Sequence, residues 1–170
     1  MTTDEESFRL WAAERQLALL RTAVLLTGDQ HRAEDLVQEA LTTVALRWRR
    51  LRAGHPEAYA RQVIVRGNIS AWRKRRREVL AADPSDTPTA GVADHTPATE
   101  RRIALDQALA SLTPKQRAVV VLRYYDDLTE RATADVLGVS IGTVKSQTHL
   151  ALTRLRQAAP ELAELLGEES

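Results

Sequence analysis

The sequence predicts an all-α protein of two small helical domains joined by a flexible linker. Three observations carry this. Apolar residues recur at helical spacing over Ser7–Thr27, again from His31 to Trp48, and again from Glu57 to Glu78. A stretch without periodicity, rich in Pro, Ala, Thr and Asp, follows from Ala81 to Thr99. Helical signatures then resume and end in two short helices joined by a tight turn, between Thr129 and Gln157. No segment carries a strand signal.

The first helix rests on Phe8, Trp11, Ala12, Leu19, Ala23 and Leu26, and Gly28-Asp29 ends it. Asp29 is placed to cap the second, which carries Ala33, Leu36, Val37, Ala40, Leu41, Val44 and Trp48 on one apolar face. Asp35, Gln38, Glu39, Thr42 and Arg49 occupy its other face. Leu51–His55 reads as a loop, and Pro56 suits the first turn of the third helix. There Ala60, Val63, Ile64, Gly67 and Ala71 form the expected buried stripe. Arg61, Val65, Asn68, Trp72, Arg75 and Arg76 lie opposite.

After the linker, Arg102–Ala110 reads as a helix, and Thr113-Pro114 opens another as cap and first residue. That helix ends near Tyr124-Tyr125-Asp126-Asp127. Ala134, Gly138 and Val144 then supply the small, flexible and apolar residues of a helix-turn-helix. Gly138 stops the first helix in left-handed backbone, and Ser140 caps the second. The second helix displays Thr143, Lys145, Ser146, Gln147 and His149, residues able to reach base edges and phosphates in a major groove. The tail from Pro160 to Ser170 reads as an acidic amphipathic turn.

Composition narrows the chemistry. The chain has 170 residues, 44% of them hydrophobic, and no cysteine, so disulfides and thiolate metal sites are excluded. The four histidines, at 31, 55, 95 and 149, are scattered without ligand spacing. No run approaches the ~20 apolar residues of a membrane span, and the acidic MTTDEESF start is unlike a signal peptide. A cytoplasmic bacterial protein is expected, without cofactor or membrane insertion. Arginine outnumbers lysine 21 to 3, which suits a GC-rich genome.

The net charge of +1 conceals segregation: residues 51–77 carry 8 basic and 1 acidic groups, and residues 78–100 carry 5 acidic and none basic. Trp72 stands beside the basic run Arg73-Lys74-Arg75-Arg76-Arg77. Basic groups bind phosphates with release of counterions, and an exposed indole can stack on an unpaired base. Paired carboxylates, metal spacing, a nucleotide-binding glycine loop and a nucleophile constellation are all missing, so an enzyme is not expected. A stand-alone helix-turn-helix repressor or activator would explain residues 129–157 but leave residues 28–41 and 58–77 without a purpose.

Three blocks in order carry a resemblance: GDQHRAEDLVQEAL at 28–41, AYARQVIVRGNISAWRKRRR at 58–77, and LTPKQRAVVVLRYYDDLTERATADVLGVSIGTVKSQTHLALTRLR at 112–156. Together they resemble the two-domain extracytoplasmic-function group of bacterial RNA polymerase sigma factors. The resemblance implies a region-2-like domain at 1–79, an acidic linker at 80–100 and a region-4-like domain at 101–170. It implies that Asp35, Leu36, Gln38 and Glu39 bind core polymerase. Arg61, Asn68, Trp72, Arg73, Lys74, Arg75 and Arg76, with the loop at Leu51–Pro56, would capture and melt the −10 element. Thr143, Lys145, Ser146, Gln147 and His149 would read the −35 element. The linker would thread a cationic polymerase channel in place of nucleic acid. Core polymerase and promoter DNA are the implied partners; an anti-sigma factor is a further one that no residue identifies. The chain departs from similar proteins at Gln147 and Leu150, where Arg is frequent, at Thr133, commonly apolar, and at Ala71-Trp72, where many relatives place an acidic residue.

Overall fold

The computed structural model describes residues 3–81 and 96–161, all helix and short turns. The first half holds α1 (Thr3–Thr27), α2 (Gln30–Leu46), the single turn α3 (Trp48–Leu51) and α4 (Pro56–Ala81). The second half holds α5 (Pro97–Ala110), α6 (Pro114–Val120), a π-helical turn at Val121–Tyr125, α7 (Glu130–Leu137) and α8 (Ile141–Ala158). Most linker residues and most of the acidic tail lie outside the described residues.

Capping fixes many of the boundaries. Asp29 accepts from the Arg32 N–H at 2.8 Å, which holds its carboxyl below the ordinary range, and this starts α2. Thr113 and Gln116 form a reciprocal capping box on α6. Gly28, at φ +68°, ends α1 in left-handed backbone. The preceding α1 carbonyls lack helical partners, and three helices supply donors. Arg117 Nε of α6 donates to the Leu25 carbonyl at 2.6 Å. Asn68 Nδ2 of α4 donates to Leu26 at 3.2 Å, and Arg32 Nη2 of α2 to Thr27 at 2.9 Å. Two of the three are cations at a helix C-terminus, where the dipole favours positive charge.

Several elements differ from the sequence expectation. The second helix stops at Leu46, and Trp48 begins the separate turn α3. Its indole Nε1 donates to Ser7 Oγ at 2.8 Å and its ring packs edge-on against Phe8, 5.4 Å between centroids, so the aromatic is drawn to the start of α1. The loop expected at Leu51–His55 therefore begins one residue later. The linker ends sooner than expected, because Thr96 accepts from the Thr99 N–H and Pro97 opens α5.

The largest difference concerns α4. Its buried stripe includes Ala60 and Ile64 as expected, but Val65 and Asn68 on the opposite stripe are buried as well. Asn68 is held by the Leu26 carbonyl of α1, and Val65 is covered where the two halves pack together. Ala118, Val121, Leu122 and Val136 of the second half join Leu19, Ala23, Leu26, Ile64 and Val65 of the first in one hydrophobic cluster. Helix α4 is sandwiched, with α1 and α2 against one side and α6 and α7 against the other. Polar contacts flank this seam: Arg117 on Leu25, Gln62 Nε2 on the Asp135 carbonyl at 3.3 Å, and Asp126 between Thr22 and Arg61.

Candidate functional surfaces

The helix-turn-helix is built as its sequence demands. Thr129 caps α7 by accepting from Ala132 N–H at 3.1 Å. Gly138 takes φ +66°, a conformation in which a Cβ is strained, and Ser140 caps α8 by accepting from Thr143 N–H at 3.1 Å. Val144 is fully buried beside Ala134 and Val119, which sets the crossing of the two helices. Fixed this way, α8 leaves Lys145, Ser146 and His149 exposed on its polar face. Lys145 Nζ lies 3.8 Å from Glu130 on α7, an exposed pair that a phosphate can replace. Thr143 and Gln147 are half-buried, Thr143 sharing its hydroxyl with Ser140 at 3.0 Å.

Thr133 in α7 is fully buried, and its hydroxyl has no hydrogen-bond partner among the described residues. The side chain is sealed from solvent, so the defect is polar. A buried unpaired hydroxyl costs roughly 1–3 kcal/mol, and an isosteric apolar group removes that cost. Thr133→Val is therefore expected to stabilise the protein by about 1 kcal/mol, raising the thermal midpoint by roughly 2–4 °C in a circular-dichroism melt. A lower midpoint would mean that the hydroxyl is satisfied in solution.

The residues expected at the −10 element divide into two groups. Arg73, Lys74 and Arg76 are exposed near the end of α4, with Arg75 half-buried. Burial, reinforced by the neighbouring Arg32, lowers the Arg75 guanidinium below its usual value. Trp72 is half-buried, and the Arg76 guanidinium lies 5.2 Å from its ring centroid. Asn68, in contrast, is 6% exposed and holds the Leu26 carbonyl, so in this conformation its amide caps α1. Arg61 is engaged by Glu57 at 2.7 Å and by Asp126 at 3.1 Å. Trp72 and Arg73 also line a cleft of about 340 Å³ whose opposite wall includes Gln147 and Leu150 of α8.

On α2 the expected polymerase-facing set splits too. Asp35, Gln38 and Glu39 are exposed together. Leu36 turns inward against Gly67, where a Cβ would lie only 2.8 Å from the Leu36 side chain. Leu36 thus fixes α2 on α4. Thr22, Arg117 and Asp126 were not singled out in the sequence, because nothing local distinguishes a buried cross-chain polar residue from a solvated one. Burial also lowers the Arg117 guanidinium below its usual value. Among the described residues no group of side chains could hold a metal ion, and no helix is long and apolar enough to cross a membrane.

Comparison with known proteins matches both halves. Residues 8–78 match the family model of sigma-70 region 2, and residues 102–155 that of sigma-70 region 4. The chain is 40% identical over 155 residues to the RNA polymerase sigma-E factor of Streptomyces avermitilis, covering 88% of this chain and 83% of that one. It is 34% identical over 163 residues to the ECF RNA polymerase sigma factor SigL of Mycobacterium tuberculosis, covering 88% and 86%. In fold it is similar to the sigma factor RpoE of Bartonella quintana, co-crystallised with the anti-sigma factor NepR. That similarity has a TM-score of 0.76 at 24% identity, over 92% of this chain and 98% of the other. With both halves matched in order and relatives aligned along most of their length, the chain belongs to the extracytoplasmic-function group of bacterial RNA polymerase sigma factors.

Proposed function

We propose that this sigma factor, which directs core polymerase to specific promoters and starts transcription, divides that work among three surfaces. The outward face of α2, with Asp35, Gln38 and Glu39, holds core polymerase. The C-terminal half of α4, with Trp72 and Arg73–Arg76, captures the melted −10 strand. The N-terminal half of α8, with Lys145, Ser146 and His149 exposed and Thr143 and Gln147 at the edge of the cleft, reads the −35 duplex. The observation that carries this division is the helix-turn-helix geometry, which leaves Lys145, Ser146 and His149 exposed on α8 while its apolar face is locked to α6 and α7. The acidic stretch at 80–100 is assigned to a cationic channel of the polymerase. The site of action is the cell interior, and an anti-sigma factor is assigned as regulator by analogy with the Bartonella protein's complex. A stand-alone repressor would leave the region 2 half unexplained.

The DNA-facing surfaces are expected to fail in different ways. Lys145→Ala in the holoenzyme should weaken closed-complex binding at every promoter and lower its salt slope by about one. Trp72→Ala should spare closed-complex binding and slow strand opening, since stacking on an unpaired base contributes ~1–3 kcal/mol. Permanganate footprinting on duplex and pre-melted templates measures both. The pre-melted template should rescue Trp72→Ala and leave Lys145→Ala impaired; rescue of neither variant means that Trp72 only packs. Asn68→Ala is unsuited to this test, because it removes a buried cap of α1.

A further inference from the structure

We propose that Asp126 is a latch: it keeps the free protein closed by occupying an anion site, formed by Arg61 and Thr22, that a DNA backbone phosphate takes over when the two halves part. The identity of the incoming ligand rests on the functional reading above; the latch itself does not.

The site is built from both halves. Asp126 Oδ1 accepts from Thr22 Oγ1 of α1 at 2.7 Å, and Oδ2 accepts from Arg61 Nε of α4 at 3.1 Å. The three groups are nearly sealed from water: Thr22 is 1% exposed, and the Asp126 and Arg61 side chains 6% and 15%. Arg61 is oriented from behind by Glu57, one turn earlier on α4. A guanidinium and a hydroxyl converging on one anionic group is a donor set that suits a phosphate as well as a carboxylate. The chain delivers Asp126 by an irregular route. Helix α6 unwinds into the π-helical turn Val121–Tyr125, and Asp127 then takes φ +53°, outside the usual range for a residue with a side chain.

Closure masks one activity and spares another. It covers Val65, engages Arg61, and sets Trp72 across one cleft from Gln147. Elements centred at −10 and −35 are about 25 base pairs apart, roughly 85 Å at ~3.4 Å per pair. Two surfaces that share one cleft cannot reach both, so promoter engagement requires opening. Asp35, Gln38 and Glu39 stay exposed in the closed form, so polymerase can bind first. Opening leaves Arg61 paired with Glu57 alone and frees the edge of the guanidinium that Asp126 held, and a phosphodiester is the promoter group with the charge to take that place.

The test uses the full chain, which has no cysteine of its own. Cysteines introduced at the exposed Gln16 on α1 and Gln157 on α8 carry a donor–acceptor dye pair. The wild type should show one high-transfer population. Asp126→Ala should move the opening equilibrium at least about tenfold toward low transfer. Asp126→Asn and Thr22→Val, which keep shape, should move it less but in the same direction, and they carry the test if Asp126→Ala loses its native circular dichroism. A single-stranded 20-mer of random sequence is then titrated against the unlabelled free protein. Asp126→Ala should bind it at least about fivefold more tightly than wild type. Adding Arg61→Ala should remove that gain and lower the salt slope by about 0.7. Unchanged transfer in all three variants overturns the latch. Opening without tighter binding, or tighter binding that survives Arg61→Ala, overturns the phosphate site. Failure of the wild-type holoenzyme to make promoter-directed transcripts would instead overturn the functional reading, and leaves the dye measurement valid.

Discussion

Reversing both charges on the outer face of α2, Asp35→Arg with Glu39→Arg, is expected to weaken binding to core polymerase at least about a hundredfold. Both carboxylates are exposed, neither is paired among the described residues, and they stand one turn apart. Removing one partner of a buried charge pair at an interface costs 2–5 kcal/mol, and reversal adds repulsion; about 2.7 kcal/mol already corresponds to a hundredfold. Arginine is a good helix former, so α2 should keep its helical content. Anisotropy of labelled protein titrated with core, beside a far-ultraviolet spectrum, separates the two effects. Unchanged affinity would make this face a merely solvated one. Leu36→Ala would also impair binding, but by loosening α2 from α4, and its thermal midpoint would fall.

Leu122→Ala is expected to cost the fold about 2–5 kcal/mol, the range for a leucine truncated in a well-packed interior. Leu122 is fully buried, and it shares its cluster with Leu19, Ala23, Ile64 and Val65 of the other half. For a chain of this size that loss lowers the thermal midpoint by roughly 5–15 °C. Leu155→Ala, in the cluster whose buried members all belong to the second half, provides the comparison. A loss below about 1 kcal/mol at Leu122 would mean that the halves are not packed together in solution.

Features decided by near neighbours were legible in the sequence. The caps at Asp29, Thr113 and Ser140, the left-handed Gly138 and the apolar stripe of α8 each depend on residues a few positions apart. Thr96-Pro97 carries the same signature as Thr113-Pro114, yet the linker composition around it concealed the start of α5. What depends on distant partners was not legible. Asn68 finds its acceptor 42 positions away, and Arg117 finds its own 92 away. In a helical pattern both are polar residues on a polar face. The one local sign of a second covering was Val65, an aliphatic residue on the basic stripe of α4 that solvent alone would not favour. On α2 the outward Asp35 and the inward Leu36 are adjacent, so the resemblance marks the segment but only the packing says which of its residues faces out.

The seam between the halves also has a concentration attached to it. Residues 82–95 connect α4 to α5 covalently, so docking one half on the other is a unimolecular event. A short covalent connection raises the effective concentration of one half for the other to roughly the millimolar range. An interface that would dissociate at about a millimolar between separate fragments can therefore stay shut in the intact chain. Such an interface is weak enough for the free energy of binding a large partner to open it, and strong enough that the partner-free chain closes again without help.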